Sequence, residues 1–255
     1  MPQLELVRAK AQMVKSMEEY YNSIRTNVQF SGRDLKVITL TSAQAGEGKS
    51  TTSVNLAISF ARAGFRTLLI DADTRNSVMS GTFKSNERYQ GLTSFLSGNA
   101  ELSDVICDTT IDNLMIIPAG QVPPNPTSLI QNDNFKVMIE TVRGLYDYVI
   151  IDTPPLGLVI DAAILAHYSD ASLVVAKAGV DKRRTITKLK EQLEQSGSIF
   201  LGVILNKYDI HLDNYGAYGS YGGYGTYGAK EEKSKKGESS FRLTKCTNYS
   251  GDYYE

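Results

Sequence analysis

The chain has 255 residues, 42% of them hydrophobic and 22% charged, the composition of an ordinary globular protein with one large domain or two small ones. A net charge of -1 gives no footing for nucleic acid or an acidic membrane surface. Cys107, Cys246, His167 and His211 stand apart from one another, so neither a disulfide framework nor a zinc site is expected and a reducing compartment fits.

Residues 1–34 are polar, with Met13, Met17, Tyr20, Ile24 and Val28 spaced by threes and fours, which predicts one face of a helical segment used for packing or oligomerisation. Its opening, MPQLELVRAK, lacks the apolar core of a signal peptide. Residues 35–212 alternate short apolar runs with amphipathic stretches. Strands are expected at 36–41, 66–71, 113–118, 148–152, 171–176 and 200–205. Helices are expected at 49–63, ended by Gly64, around Phe135, Met138, Ile139 and Val142, and from about Asp181 through Ile186, Leu189 and Leu193. Strands apolar throughout are buried on both faces, and their alternation with helices predicts an α/β fold with a doubly wound, mostly parallel sheet. No apolar run approaches the roughly 20 residues of a membrane span.

Beyond residue 212 the aliphatic residues nearly vanish. Fifteen tyrosines stand against no tryptophan, and eight of them follow Asn214. Tyr215, Tyr218, Tyr221, Tyr224 and Tyr227 recur every third residue, each followed by glycine. A segment of this kind buries too little apolar surface to offset its conformational entropy, so 213–228 is expected to be a disordered tail. Residues 229–255, where Lys230, Lys233, Lys235 and Lys236 mingle with acids, are expected to be a disordered extension.

The most informative segment is Ala43-Gln44-Ala45-Gly46-Glu47-Gly48-Lys49-Ser50, between a strand and a helix. Its end matches the phosphate-binding loop, with Ala43 in place of the first glycine. Small residues there let successive backbone N–H groups surround phosphate oxygens, and the helix N-terminus adds a positive dipole end. Residues 45–51 (Ala45, Gly46, Glu47, Gly48, Lys49, Ser50 and Thr51) are the expected ATP-binding loop. Lys49 is expected to reach the β and γ phosphates and Ser50 to ligate magnesium. Asp71 and Asp73 close one buried strand and Asp152 another. If those strands flank the loop, the three acids hold Mg2+ directly or through water, and one orients or deprotonates an incoming hydroxyl.

Together the phosphate loop, Asp71-x-Asp73-x-Arg75 and the strand end at 149–155 resemble the three Walker-type motifs of bacterial tyrosine kinases of the P-loop NTPase superfamily. The likeness is to the cytoplasmic kinases of capsular and exopolysaccharide synthesis in Gram-positive bacteria, and it spans residues 1 to about 228. Gly91-Leu92-Thr93-Ser94-Phe95-Leu96-Ser97-Gly98, Pro124-Asn125-Pro126-Thr127 and Leu205-Asn206-Lys207 support it. The resemblance implies catalytic roles for Lys49, Asp71, Asp73 and Asp152, and magnesium bound at Ser50, Asp71, Asp73 and Asp152. It places Asn206 near the adenine. It implies autophosphorylation in trans of Tyr215, Tyr218, Tyr221, Tyr224 and Tyr227, a transmembrane polysaccharide co-polymerase as activator, self-assembly and an opposing protein-tyrosine phosphatase. It also implies a cytoplasmic location at the inner face of the membrane.

Two positions depart from the pattern. Ala45 stands where many members have proline. The assembly register of the N-terminal helix reads Glu19, Asn22, Arg25, without its middle arginine. Two other readings stay open: a P-loop ATPase switch of the partitioning or division-site type, and a non-catalytic nucleotide-binding assembly regulator. The ATPase switches usually carry a lysine early in the loop, where this chain has Gln44.

Overall fold

A computed structural model describes residues 2–85 and 87–208 and the backbone of 240–242. The five repeat tyrosines, His211 and Cys246 lie outside the described residues.

Four apolar runs make the centre of one sheet: β2 (Val37–Ser42), β3 (Thr67–Asp71), β7 (Tyr148–Asp152) and β8 (Ala171–Lys177). Every residue of β2 and β3 is buried, as a strand covered on both faces requires. With β1 (Gln3–Leu6), β4 (Phe83–Lys84), β5 (Cys107–Thr109), β6 (Leu114–Ile117), β9 (Ile199–Tyr208) and β10 (Ser240–Arg242), the order is β10-β9-β8-β2-β7-β3-β6-β5-β1-β4. The strands from β9 to β6 run parallel, whereas β5, β4 and β10 pair antiparallel with β6, β1 and β9. From β2 the chain passes first to β3 and β6 on one side and later to β8 and β9 on the other. The carboxyl end of β2 is therefore the switch point at which such sheets bind ligands.

One sheet face is covered by α3 (Lys49–Arg62), on which α2 (Glu18–Ser31) packs through Tyr21, Ile24 and Val28, with α1 (Arg8–Ser16) before it. The other is covered by α4 (Leu92–Leu96), α5 (Leu102–Val105), α7 (Asp133–Leu145), α8 (Asp161–His167) and α9 (Arg183–Gln195). A short helix, α6 (Pro126–Ile130), opens on its proline, which presets the helical φ and lacks only an N–H that needs no partner there.

The N-terminal segment is more than the single helical face expected. Gln3-Leu4-Glu5-Leu6 alternates, and it adds a strand beside β5 that buries Leu4. The helix then breaks at Met17, which is itself buried, so the apolar stripe crosses the break. Within 229–255, Ser240–Arg242 pairs with the outer edge of β9. Helix α9 starts at Arg183, because Asp181 closes the preceding turn by accepting the Lys177 N–H at 2.6 Å.

Candidate active site

The phosphate loop leaves β2 and opens α3. Gly46 and Gly48 adopt positive φ of 79° and 94°, and Gly48 is the left-handed cap of the helix. A Cβ on Gly48 would lie 2.0 Å from Nδ2 of Asn206, which donates to the Glu47 carbonyl at 2.8 Å. Glycine is thus required there for both conformation and space. Ala43 tolerates its side chain because the methyl is buried with Leu156 and Val174. From the end of β9, Lys207 donates through Nζ to the Gly46 carbonyl at 2.6 Å. The Glu47 side chain turns under the loop and accepts the Ala43 N–H at 3.0 Å. Burial, and then the neighbouring Asp181 carboxyl, pushes Glu47 up to about 7.

The acids meet as the motif reading requires. Asp71 and Asp152 are register partners on adjacent β3 and β7. Lys49 Nζ lies 2.9 Å from Asp152 Oδ1, 3.8 Å from Asp73 Oδ2 and 3.1 Å from Ser50 Oγ. Ser53 donates its hydroxyl to the same Asp152 oxygen at 2.9 Å. Asp71 is fully buried, accepts the Ser77 hydroxyl at 2.5 Å and accepts the Asp73 N–H at 3.3 Å. Burial, then the Asp152 charge, pushes its carboxyl up to about 7, against the Ser77 hydrogen bond and Lys49, which pull it down.

Ser50, Asp73 and Asp152 converge on one ammonium, so an oxygen donor set for a hard cation is present. Among the described residues no group of three acids, histidines or cysteines could form a metal site unaided. That fits magnesium, which takes one or two carboxylates and fills its shell with water and phosphate oxygens.

Two cavities meet over this cluster. One, of about 440 Å³, runs along the phosphate loop past Lys49, Ser50, Thr51 and Asp73 to Pro154 and Leu158. The other, of about 530 Å³, is lined by Asp71, Ser77, Phe83 and Gly91. Both include Arg75 and Asn76. Arg75 is braced there by the buried Asp161, with Nε to Oδ2 at 2.7 Å and Nη2 to Oδ1 at 3.3 Å, and donates from Nη2 to Thr127 Oγ1 at 2.8 Å. Thr127 in turn donates to Asp161 at 2.7 Å.

Sequence reasoning placed Arg75, Thr127 and Lys207 inside motifs but gave none of them a role, took Asp181 only as the start of a helix, and missed Asp161 and Ser53. An acid at the first residue of a helix reads as a capping residue, so Asp161 carried no signal of its own. Asn206 stands beneath the loop on the Glu47 carbonyl.

A family model described as an AAA domain matches residues 35–199. The chain is 57% identical over 216 residues to the tyrosine-protein kinase CpsD of Streptococcus agalactiae serotype III, covering 85% of this chain and 93% of that one. Among solved structures, the kinase domain of the Escherichia coli tyrosine kinase ETK superposes with a TM-score of 0.71 at 31% identity, covering 80% of this chain and 79% of that one. The septum site-determining protein MinD of Pyrococcus horikoshii, solved with Mg-ADP, reaches a TM-score of 0.58 at 28% identity, over 68% of this chain and 70% of that one.

Proposed function

The chain belongs to the bacterial tyrosine-protein kinases of the P-loop NTPase superfamily, and on that premise we propose that it transfers the γ-phosphoryl group of ATP to its own repeat tyrosines and thereby regulates capsular or extracellular polysaccharide synthesis and export. The observation that carries this reading is the junction of the two cavities at Arg75 and Asn76, with Asp73 on the phosphate-loop side and Asp71 on the other. A nucleotide fits along the phosphate loop, and a phenol entering the second cavity meets the Asp71 carboxylate.

The loop N–H groups and the α3 N-terminus hold the phosphates. Lys49, already beside Ser50, neutralises the charge that develops on the phosphoryl oxygens. Ser50, Asp73 and Asp152 would hold magnesium with the nucleotide, and the ion would supply further neutralisation of that charge. Arg75, fixed by Asp161, stands at the boundary between donor and acceptor. Asp71 orients the tyrosine hydroxyl and accepts its proton as the phenolic oxygen bonds to the γ-phosphorus and the bond to the ADP oxygen breaks. A phenol with pKa about 10 is oriented more than deprotonated by such a carboxylate in the ground state. We assign the adenine side to Asn206, as the family resemblance implies.

The acceptors are Tyr215, Tyr218, Tyr221, Tyr224 and Tyr227 of another copy, and each phosphate adds nearly two negative charges. No described helix is long and apolar enough to cross a membrane. We assign membrane recruitment and activation to a transmembrane polysaccharide co-polymerase, and removal of the phosphate to a protein-tyrosine phosphatase. The ATPase-switch reading is the weaker one: the match to MinD is lower in identity and superposition, and Gln44 stands at the lysine position of that class.

The test follows the γ-phosphate of labelled ATP. The account expects label on protein tyrosine and none above background with Lys49→Met. Label released only as inorganic phosphate would favour the ATPase switch.

A further inference from the structure

The cavity at Asp71 does not end there. It shares Ser94, Gln121 and Val122 with a third cavity of about 500 Å³, so the two form one groove across α4 to the start of α6. Val122, at the junction, is 69% exposed and offers apolar surface to the groove.

The chemistry changes along the groove. The Asp71 end carries a carboxylate and the Arg75 guanidinium. Among the described residues none that lines the far end is charged: Pro123, Pro124 and Leu129 offer apolar surface, and Asn125 and Ser128 offer uncharged polar groups. Such a pocket suits a phenol, whose ring packs on proline and whose hydroxyl meets an amide or hydroxyl. A phosphotyrosine there would bring a dianion to a site with no cation among the described residues.

The acceptor sequence has a matching period. Tyrosine recurs every third residue. In a chain of three residues per turn, rising about 3.1 Å per residue, neighbouring tyrosines stand about 9 Å apart and point the same way. The two cavities share lining residues, so a second tyrosine of the same repeat can follow the first along the groove.

We propose that the pocket at Pro123, Pro124 and Ser128 is a second acceptor subsite, which seats the neighbouring, unphosphorylated tyrosine of the repeat from a second copy while one tyrosine lies at Asp71. The inference rests on the kinase reading above and adds an order to it. Once the neighbour is phosphorylated the pocket rejects it, so the rate per tyrosine falls as the repeat fills.

The test uses full-length Lys49→Met protein as acceptor, with Tyr221 the only tyrosine kept in the repeat. In one acceptor the other four are changed to Phe, in a second to Ser. Phosphate at Tyr221 is quantified by mass spectrometry at early times. Wild-type kinase is expected to modify Tyr221 about tenfold faster in the Phe acceptor, equivalent to about 1.4 kcal/mol. A Ser128→Trp kinase, altered at an exposed position, is expected to lose that advantage and keep the wild-type rate on the Ser acceptor. Equal rates on the two acceptors with wild-type kinase would overturn the subsite alone. So would a Ser128→Trp kinase slowed equally on both. No phosphate on either acceptor would overturn the tail reading, and the subsite with it.

Discussion

Asp71 and Asp152 stand side by side on neighbouring strands, Asp73 lies two residues on, and the ammonium of Lys49 bridges Asp152 and Asp73. A fully buried carboxyl in that company resists ionisation. Its folded value, about 7, lies above the ordinary carboxylate value of 3.8. The folded state thus holds the proton more tightly, and stability drains away as pH rises from about 4 to about 7. Asp71→Asn removes this loss. In thermal unfolding of the nucleotide-free protein, the variant's margin over the parent is expected to widen from pH 5 to about pH 7 and then level off. A margin independent of pH would show that Asp71 titrates normally. Gly48→Ala meets two obstacles at once, positive φ and the Asn206 amide, and is expected to abolish nucleotide binding in a titration with a fluorescent ATP analogue. The chemistry at this scale was legible where sequence neighbours carry it: the phosphate loop, and acids that close apolar strands. Arg75 and Asp161 are 86 positions apart, and Glu47 meets Asp181 only through the fold, so no local pattern marks either pair.

The packing of α2 on α3 decides what the N-terminal register can do. Arg25 turns inward, donating from Nη1 to Asn22 Oδ1 at 3.0 Å, to the Ser59 carbonyl at 2.9 Å and to the Ser59 hydroxyl at 3.2 Å. Asn22 Oδ1 also accepts the Ser59 hydroxyl at 2.9 Å. The residue in place of the usual arginine is therefore the acceptor that holds Arg25 against its own chain. Asn22→Ala removes an acceptor from two donors and is expected to cost about 1–3 kcal/mol in denaturant unfolding. A loss below half a kcal/mol would mean that water replaces the amide. Met17, Ile24 and Val28 of the expected stripe announced this packing, whereas Tyr20 is exposed and Tyr21 is buried in its place. The break at Met17 was hidden because the stripe runs through it. The four residues of β1 were hidden because so short an alternation yields to a helical pattern next to it. Helices α4, α5 and α6, each of four or five residues, are shorter than the windows in which periodicity speaks.

Across the whole molecule, the parallel strands bring the phosphate loop and the three acids to the carboxyl ends of the central strands, at the end of β2 where the chain changes direction. That much followed from apolar runs ending in aspartate and from their alternation with helices. Strand order did not, because β7 enters between β2 and β3 from more than 70 residues further along the chain. The tail was legible as composition and period alone. On the proposed mechanism one molecule supplies the phosphate loop and another the tyrosines. The direct measurement incubates active chain with Mg-ATP and Lys49→Met chain, the latter isotope-labelled so that its peptides are distinguished, and maps phosphate by mass spectrometry. The account predicts phosphate at Tyr215, Tyr218, Tyr221, Tyr224 and Tyr227 of the labelled, inactive chain. Phosphate confined to the active chain's own peptides, or found only in solution, would contradict it.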